Sequence, residues 1–91
     1  MDLGQAIKTL RKMKGISQKQ LAEAAGISAN ALSSIERDEA WPTKTTINLI
    51  CDALDIPTSC LLFASITEED VPLHGRSVFR ALKQPILELF R

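Results

Sequence analysis

The residues with chemistry to offer lie between Ser17 and Glu36, in the run SQKQLAEAAGISANALSSIE. Nothing in it pairs a nucleophile with a base. In its second half the short amide of Asn30 and the hydroxyls of Ser33 and Ser34 both donate and accept hydrogen bonds. With Ala29 they occupy the face of a short helical pattern that Leu32 and Ile35 leave free. The preceding pattern, Leu21, Ala22 and Ala25, stops at Gly26. The run therefore reads as two short helices joined by a tight turn. That is the layout of a helix-turn-helix, in which one helix braces and the next enters the major groove of DNA.

Other chemistries find little to work with. Cys51 and Cys60 match no zinc spacing, and the only histidine, His74, lies far along the chain beside Gly75 in an expected loop. Both cysteines fall inside apolar helical patterns, where a free thiol behaves as a small buried hydrophobe. They are expected to be reduced, with no metal and no cofactor. There is no phosphate-cradling glycine loop and no internal repeat, so an enzyme is not expected. No apolar run approaches the ~18 residues of a membrane span. The N-terminus MDLGQAIKTLRK lacks the pattern of a secretory signal, so a cytoplasmic protein is expected.

Composition favours helices. The chain has 91 residues, 45% of them hydrophobic but only 4% aromatic, with no tyrosine. That is enough apolar material for a core and too few β-branched runs for a sheet. Lys plus Arg equals Asp plus Glu at 11 each, less basic than a DNA-binding domain usually is. The distribution is uneven, however. Lys8, Arg11, Lys12, Lys14 and Lys19 fall in a stretch without acids, whereas Asp52, Asp55, Glu68, Glu69 and Asp70 lie elsewhere. A neutral chain can still present a basic face.

Capping signals place the elements that must hold this face. Asp2, with Gln5 as reciprocal partner, opens a first helix over about Leu3 to Lys14, with Leu3, Ile7 and Leu10 inward and Gly15 as its stop. Ser17 and Gln20 form the capping box of the second helix, and Ile16 staples against Leu21. Ser28 caps the third, with Ile27 stapling against Leu32. A loop with Trp41 and Pro42 follows. Thr43 caps a fourth helix through about Leu54, with Ile47, Ile50, Cys51 and Leu54 buried. Pro57 opens a short fifth helix with Leu61, Leu62 and Phe63. Ser65 to Gly75 reads as an acidic linker. A last amphipathic stretch runs from about Arg76 to Phe90, interrupted or kinked at Pro85.

From Ile7 through Leu62 the chain resembles the XRE family of helix-turn-helix regulators, the lambda-repressor and Cro type. The resemblance rests on IKTLRKMKGISQKQLAEAAGISANALSSIER, then Pro42, then TINLICDALDIP. It implies an all-α, lambda-repressor-like five-helix DNA-binding domain over residues 1–64. Residues 65–91 add a linker and a C-terminal helical segment. It also implies a sequence-specific transcriptional regulator, a repressor, that reads double-stranded DNA.

The resemblance assigns roles by position. Ala29, Asn30, Ser33 and Ser34 face base edges; Asn30 can pair with both the donor and the acceptor of adenine, and Ala29 can touch a thymine methyl. Gln18, Lys19, Arg37, Thr43 and Lys44 face the DNA backbone, Gln18 at a helix N-terminus that attracts phosphate. Arg11 and Glu36 form a structural pair between the first and third helices. Where the family often has Gly and then basic residues, this chain has Asp38, Glu39 and Ala40. Asp38 can take the left-handed turn, but the two acids are expected to repel phosphate and lower affinity. Trp41 is expected to pack over the fourth helix.

One recognition helix reads too few bases for a unique site, so a homodimer on a near-palindromic operator is expected. Val78, Phe79, Leu82, Ile86, Leu87, Leu89 and Phe90 offer an apolar surface for it, or fold back on their own domain. The competing reading is an antitoxin-like interaction protein whose main partner is another protein, such as a toxin, with DNA autoregulation secondary.

Overall fold

The computed structural model describes residues 1–91, and it is all-helical. Five helices are followed by two short turns and a sixth helix. They are α1 (Leu3–Met13), α2 (Gln18–Ala25), α3 (Ala29–Glu36), α4 (Lys44–Leu54), α5 (Thr58–Ser65) and α6 (Arg76–Glu88). No single helix is long and apolar enough to cross a membrane.

The caps form largely as the sequence predicts. Ser17 accepts from the Gln20 amide, and the Gln20 side chain accepts in return from the Ser17 amide. Ser28 and Thr43 each accept from the amide three residues on. At α1 only half of the expected box forms. Asp2 accepts from the Gln5 amide, but the Gln5 side chain turns the other way and donates to Thr9 one turn along the helix.

The apolar stripes meet in one core. Leu3, Ile7, Leu10, Leu21, Leu32, Ile50, Leu54 and Leu61 are almost wholly buried, each favouring the fold by about 1.5–3 kcal/mol. α1 lies against α5 and α3, and α2 lies against α4 and α3. Cys51 and Cys60 sit in this core as free thiols, and burial pushes both pKa values up, which leaves them protonated and unreactive.

Gly4 explains how closely α1 and α3 approach. A Cβ at Gly4 would stand 2.4 Å from the Ile35 carbonyl oxygen and 2.9 Å from that of Glu36. Any side chain there would push the two helices apart.

The segment after α5 differs from a free linker. The acidic run folds into a turn, Glu68–Asp70, because the Thr67 amide donates to the Asp70 carboxylate at 2.8 Å. The amino group of Met1 also donates to Asp70, and this contact with the Thr67 bonds holds the Asp70 carboxyl down to about 2. A second turn, Leu73–Gly75, leads straight into α6. Nor does α6 break at Pro85; the helix runs on to Glu88 across it.

α6 divides its apolar residues between two surroundings. Leu87 is buried in the core, and Phe79 lies 6.3 Å from Phe63 of α5, ring centre to ring centre. Lys83 spans the joint, donating to the Ile66 carbonyl at 2.6 Å with its ammonium over the Phe79 ring. Val78, Leu82 and Leu89 remain exposed on the other side.

Candidate nucleic-acid interface

The turn between α2 and α3 fixes the face. Gly26 takes a left-handed φ of 72°, and the Ile27 amide bonds back to the Ala22 carbonyl at 3.0 Å. This closes α2 and redirects the chain within two residues into the Ser28 cap of α3. Leu32 and Ile35 then point into the core, which holds α3 by one side.

The other side of α3 is open. Ala29, Asn30 and Ala31 are exposed, and Ser33 and Ser34 are half-buried. Ala31, beside Asn30 in the first turn of α3, is part of the same exposed surface. Lys19, Arg37, Thr43 and Lys44 are exposed, and Arg37 reaches the Ser33 hydroxyl, whereas Gln18 is partly covered. Thr43 is engaged as the cap of α4, where its hydroxyl also meets that of Thr46.

Beneath the face a polar network ties three helices together. Arg11 of α1 donates to Glu36 of α3 through two nitrogens, Nε to Oε2 at 2.9 Å and Nη2 to Oε1 at 3.1 Å. Its third nitrogen donates to the Ile16 carbonyl at 3.1 Å. Gln18 of α2 donates to Glu36 Oε1 at 3.2 Å. Every prong has a partner, which is the condition under which a buried ion pair is tolerated. Gln18, assigned to the DNA backbone by position, thus has an internal partner that its spacing did not reveal.

A second pair sits on the surface at the end of α3. Arg37 donates to Glu39 through Nε at 2.9 Å and Nη2 at 3.0 Å, and its Nη1 donates to the Ser33 hydroxyl. Each partner draws the other toward its charged form, chiefly by hydrogen bonding, so the Glu39 carboxyl lies below its ordinary value. Asp38 takes the left-handed conformation expected of it, with φ of 63°. Trp41 departs from expectation. It does not pack over α4 but stands 68% exposed, while its neighbour Pro42 is the residue that turns inward. Pro42 takes the inward place in this loop, and the indole beside it is left in solvent.

A braced first helix, a left-handed glycine turn and an open, short-chain polar face on the next helix define a helix-turn-helix protein. The helix-turn-helix family model HTH_3 matches residues 7–59, and the chain belongs to this family. The immunity repressor protein of Bacillus phage phi105 is 40% identical over 62 residues, a stretch covering 68% of this chain and 43% of the repressor. The chain thus spans less than half the length of that relative. Among solved structures, it is similar to the restriction-modification controller protein C.AhdI from Aeromonas hydrophila. That likeness has a TM-score of 0.65 and 32% identity, and covers 66% of this chain and 91% of the controller. It is also similar to the clp gene regulator ClgR from C. glutamicum, with a TM-score of 0.70 and 28% identity over 79% of this chain and 91% of the regulator.

Proposed function

We propose that this chain is a sequence-specific, double-stranded-DNA-binding transcriptional regulator, a repressor, that reads the major groove with α3. Its task is binding rather than catalysis, and its place of work is the cytoplasm. The observation that carries the reading is the two-sidedness of α3: Leu32, Ile35 and Glu36 are buried while Ala29 and Asn30 stand free. Asn30 pairs with adenine, Ala29 meets a thymine methyl, and Ser33 and Ser34 reach base edges. Lys19, Arg37, Thr43 and Lys44 meet phosphate, with Gln18 at the first turn of α2. The likeness to a phage immunity repressor and a restriction-modification controller supports repression.

The operator is near-palindromic and the regulator is a homodimer. Two recognition helices then lie one turn of DNA apart, roughly 34–36 Å. The exposed Val78 and Leu82 of α6, with Leu89 just past its end, supply an apolar strip for a two-fold contact between copies.

Selection of bound duplexes from a random pool tests the first reading. A two-fold-related consensus is expected, and Asn30→Ala must change it. No enrichment, or the same consensus and affinity after Asn30→Ala, would overturn it. Sedimentation tests the second. The intact chain should dimerise at tens of micromolar, and Val78→Glu with Leu82→Glu should give monomers; a monomeric parent chain would remove α6 from this role.

A further inference from the structure

Four helices end in the same way. α1, α2, α3 and α4 are each followed by a residue at positive φ: Gly15, Gly26, Asp38 and Asp55. In each case the next amide reaches back five residues: Ile16 to Arg11, Ile27 to Ala22, Glu39 to Ser34, and Ile56 to Cys51. An apolar residue frequently occupies this position and packs back against its helix. Three of the four ends obey, since Ile16, Ile27 and Ile56 all pack on the core. The exception is the end of α3, where the position holds Glu39, exposed to solvent.

The exception has a consequence for the interface. The motif fixes the backbone of Glu39 next to the last turn of α3, so its carboxylate meets Arg37 through two prongs at 2.9 and 3.0 Å. The third guanidinium nitrogen is taken by Ser33. All three nitrogens of this arginine therefore have partners within the chain. A carboxylate and a phosphate present the same pair of oxygens to a guanidinium.

Resting on the reading that Arg37 meets the DNA backbone, we propose that Glu39 is an internal stand-in for a DNA phosphate, which holds Arg37 and Ser33 closed until a duplex displaces it. Both partners are more than half exposed, so the pair is weak and exchangeable rather than structural. Binding swaps a carboxylate for a phosphate on Arg37 and releases the Ser33 hydroxyl toward the groove. Glu39 thereby lowers affinity for all duplexes and sets how much the remaining contacts must supply.

The test uses the full chain with Glu39→Gln, Asp38→Asn, Arg37→Gln, and Arg37→Gln added to Glu39→Gln, titrated against a mixed-sequence duplex over a range of salt. Circular dichroism melting first establishes that all four fold like the parent. Glu39→Gln should bind about two- to fivefold more tightly, the scale of an exposed pair. Asp38→Asn removes the same charge one residue away and should gain less. In the presence of Arg37→Gln, replacing Glu39 as well should bring no gain over Arg37→Gln alone. Equal gains from Asp38→Asn and Glu39→Gln would mean plain charge repulsion and overturn the proposal. Weaker binding by Glu39→Gln would make Glu39 a support for Arg37 and also overturn it. The salt slope separates the underlying reading: adding Arg37→Gln should flatten it by about 0.9. An unchanged slope would mean that Arg37 meets no phosphate, whatever Glu39 does.

Discussion

Two arginine–glutamate pairs with the same two-pronged geometry meet at the end of α3, one inside it and one just past it. Glu36 pairs with Arg11, and its neighbour Arg37 pairs with Glu39. The first pair joins residues 25 apart in sequence, the second residues two apart. Side-chain exposure is 10% and 3% in the first pair, against 57% and 58% in the second. Identical chemistry thus does different work on the two sides of one helix. Inside, where water cannot replace a lost partner, the pair and Gln18 lock α1, α2 and α3 in register. Outside, water can take the place of either partner, so the pair adds little to stability.

The largest expected effect comes from breaking the inner pair. Glu36→Ala leaves the Arg11 guanidinium buried with only the Ile16 carbonyl, and should cost about 3–5 kcal/mol in urea unfolding. Arg37→Gln should leave the unfolding midpoint unchanged. Equal shifts in the two variants would erase the distinction between the pairs. Replacing both inner partners, Arg11→Met with Glu36→Leu, should recover much of the loss, because no charge is then left unpaired.

A smaller loss is expected at the same joint from packing alone. Gly4→Ala sets a methyl group against the backbone carbonyls of Ile35 and Glu36, which cannot rotate away. About 1–3 kcal/mol is expected from such overpacking, read by the same unfolding experiment. If Gly4→Ala is neutral, the inner pair alone sets the distance between α1 and α3.

The inner and outer regions also differ in how far the sequence foretells them. The helix starts are written locally, in Ser17 with Gln20, in Ser28 and in Thr43, and the buried stripes are written in helical spacing. The outward face of α3 follows from those stripes by subtraction. Contacts between distant segments leave no such local mark, and the Arg11–Glu36 pair is expected only through the family resemblance. Nothing near Gly4 announces that carbonyls of Ile35 and Glu36 lie against it. Nothing near Gln18 announces a bond to Glu36. The stretch after Ser65 reads as a linker because proline, glycine and acids dominate it, yet Lys83 reaches back to Ile66 and the amino end reaches across to Asp70. Glu39 is legible as an acid just past the third helix, where it is exposed. Its grip on Arg37 is not legible, since it depends on the left-handed turn at Asp38.

On the outer side, stability and recognition should separate. Asn30→Ala should leave unfolding nearly unchanged, because Asn30 is exposed. It should cost about 1–3 kcal/mol on the selected duplex and little on mixed sequence. Lys44→Ala should weaken both duplexes alike and flatten the salt dependence. A variant that lost stability and affinity together would place its residue with the inner network instead.

The smallest effect expected is optical, and it asks whether the outer region faces DNA at all. Trp41 is the only tryptophan in the chain. It stands 68% exposed in the loop that follows Glu39, with Pro42 anchoring the backbone beneath it. The emission of the free protein should therefore lie at long wavelength, as for an indole in water. Bases in a duplex are stacked and cannot receive the ring, so contact would be with the sugar–phosphate rim. Emission should then change in intensity as duplex is added, with the same midpoint as the affinity measured by other means. In Glu39→Gln the same change should appear at lower duplex concentration. An emission spectrum indifferent to saturating duplex would put this loop away from the DNA. The outer pair would then be an ordinary solvated surface, and burial would be the only meaningful difference between the two ends of the comparison.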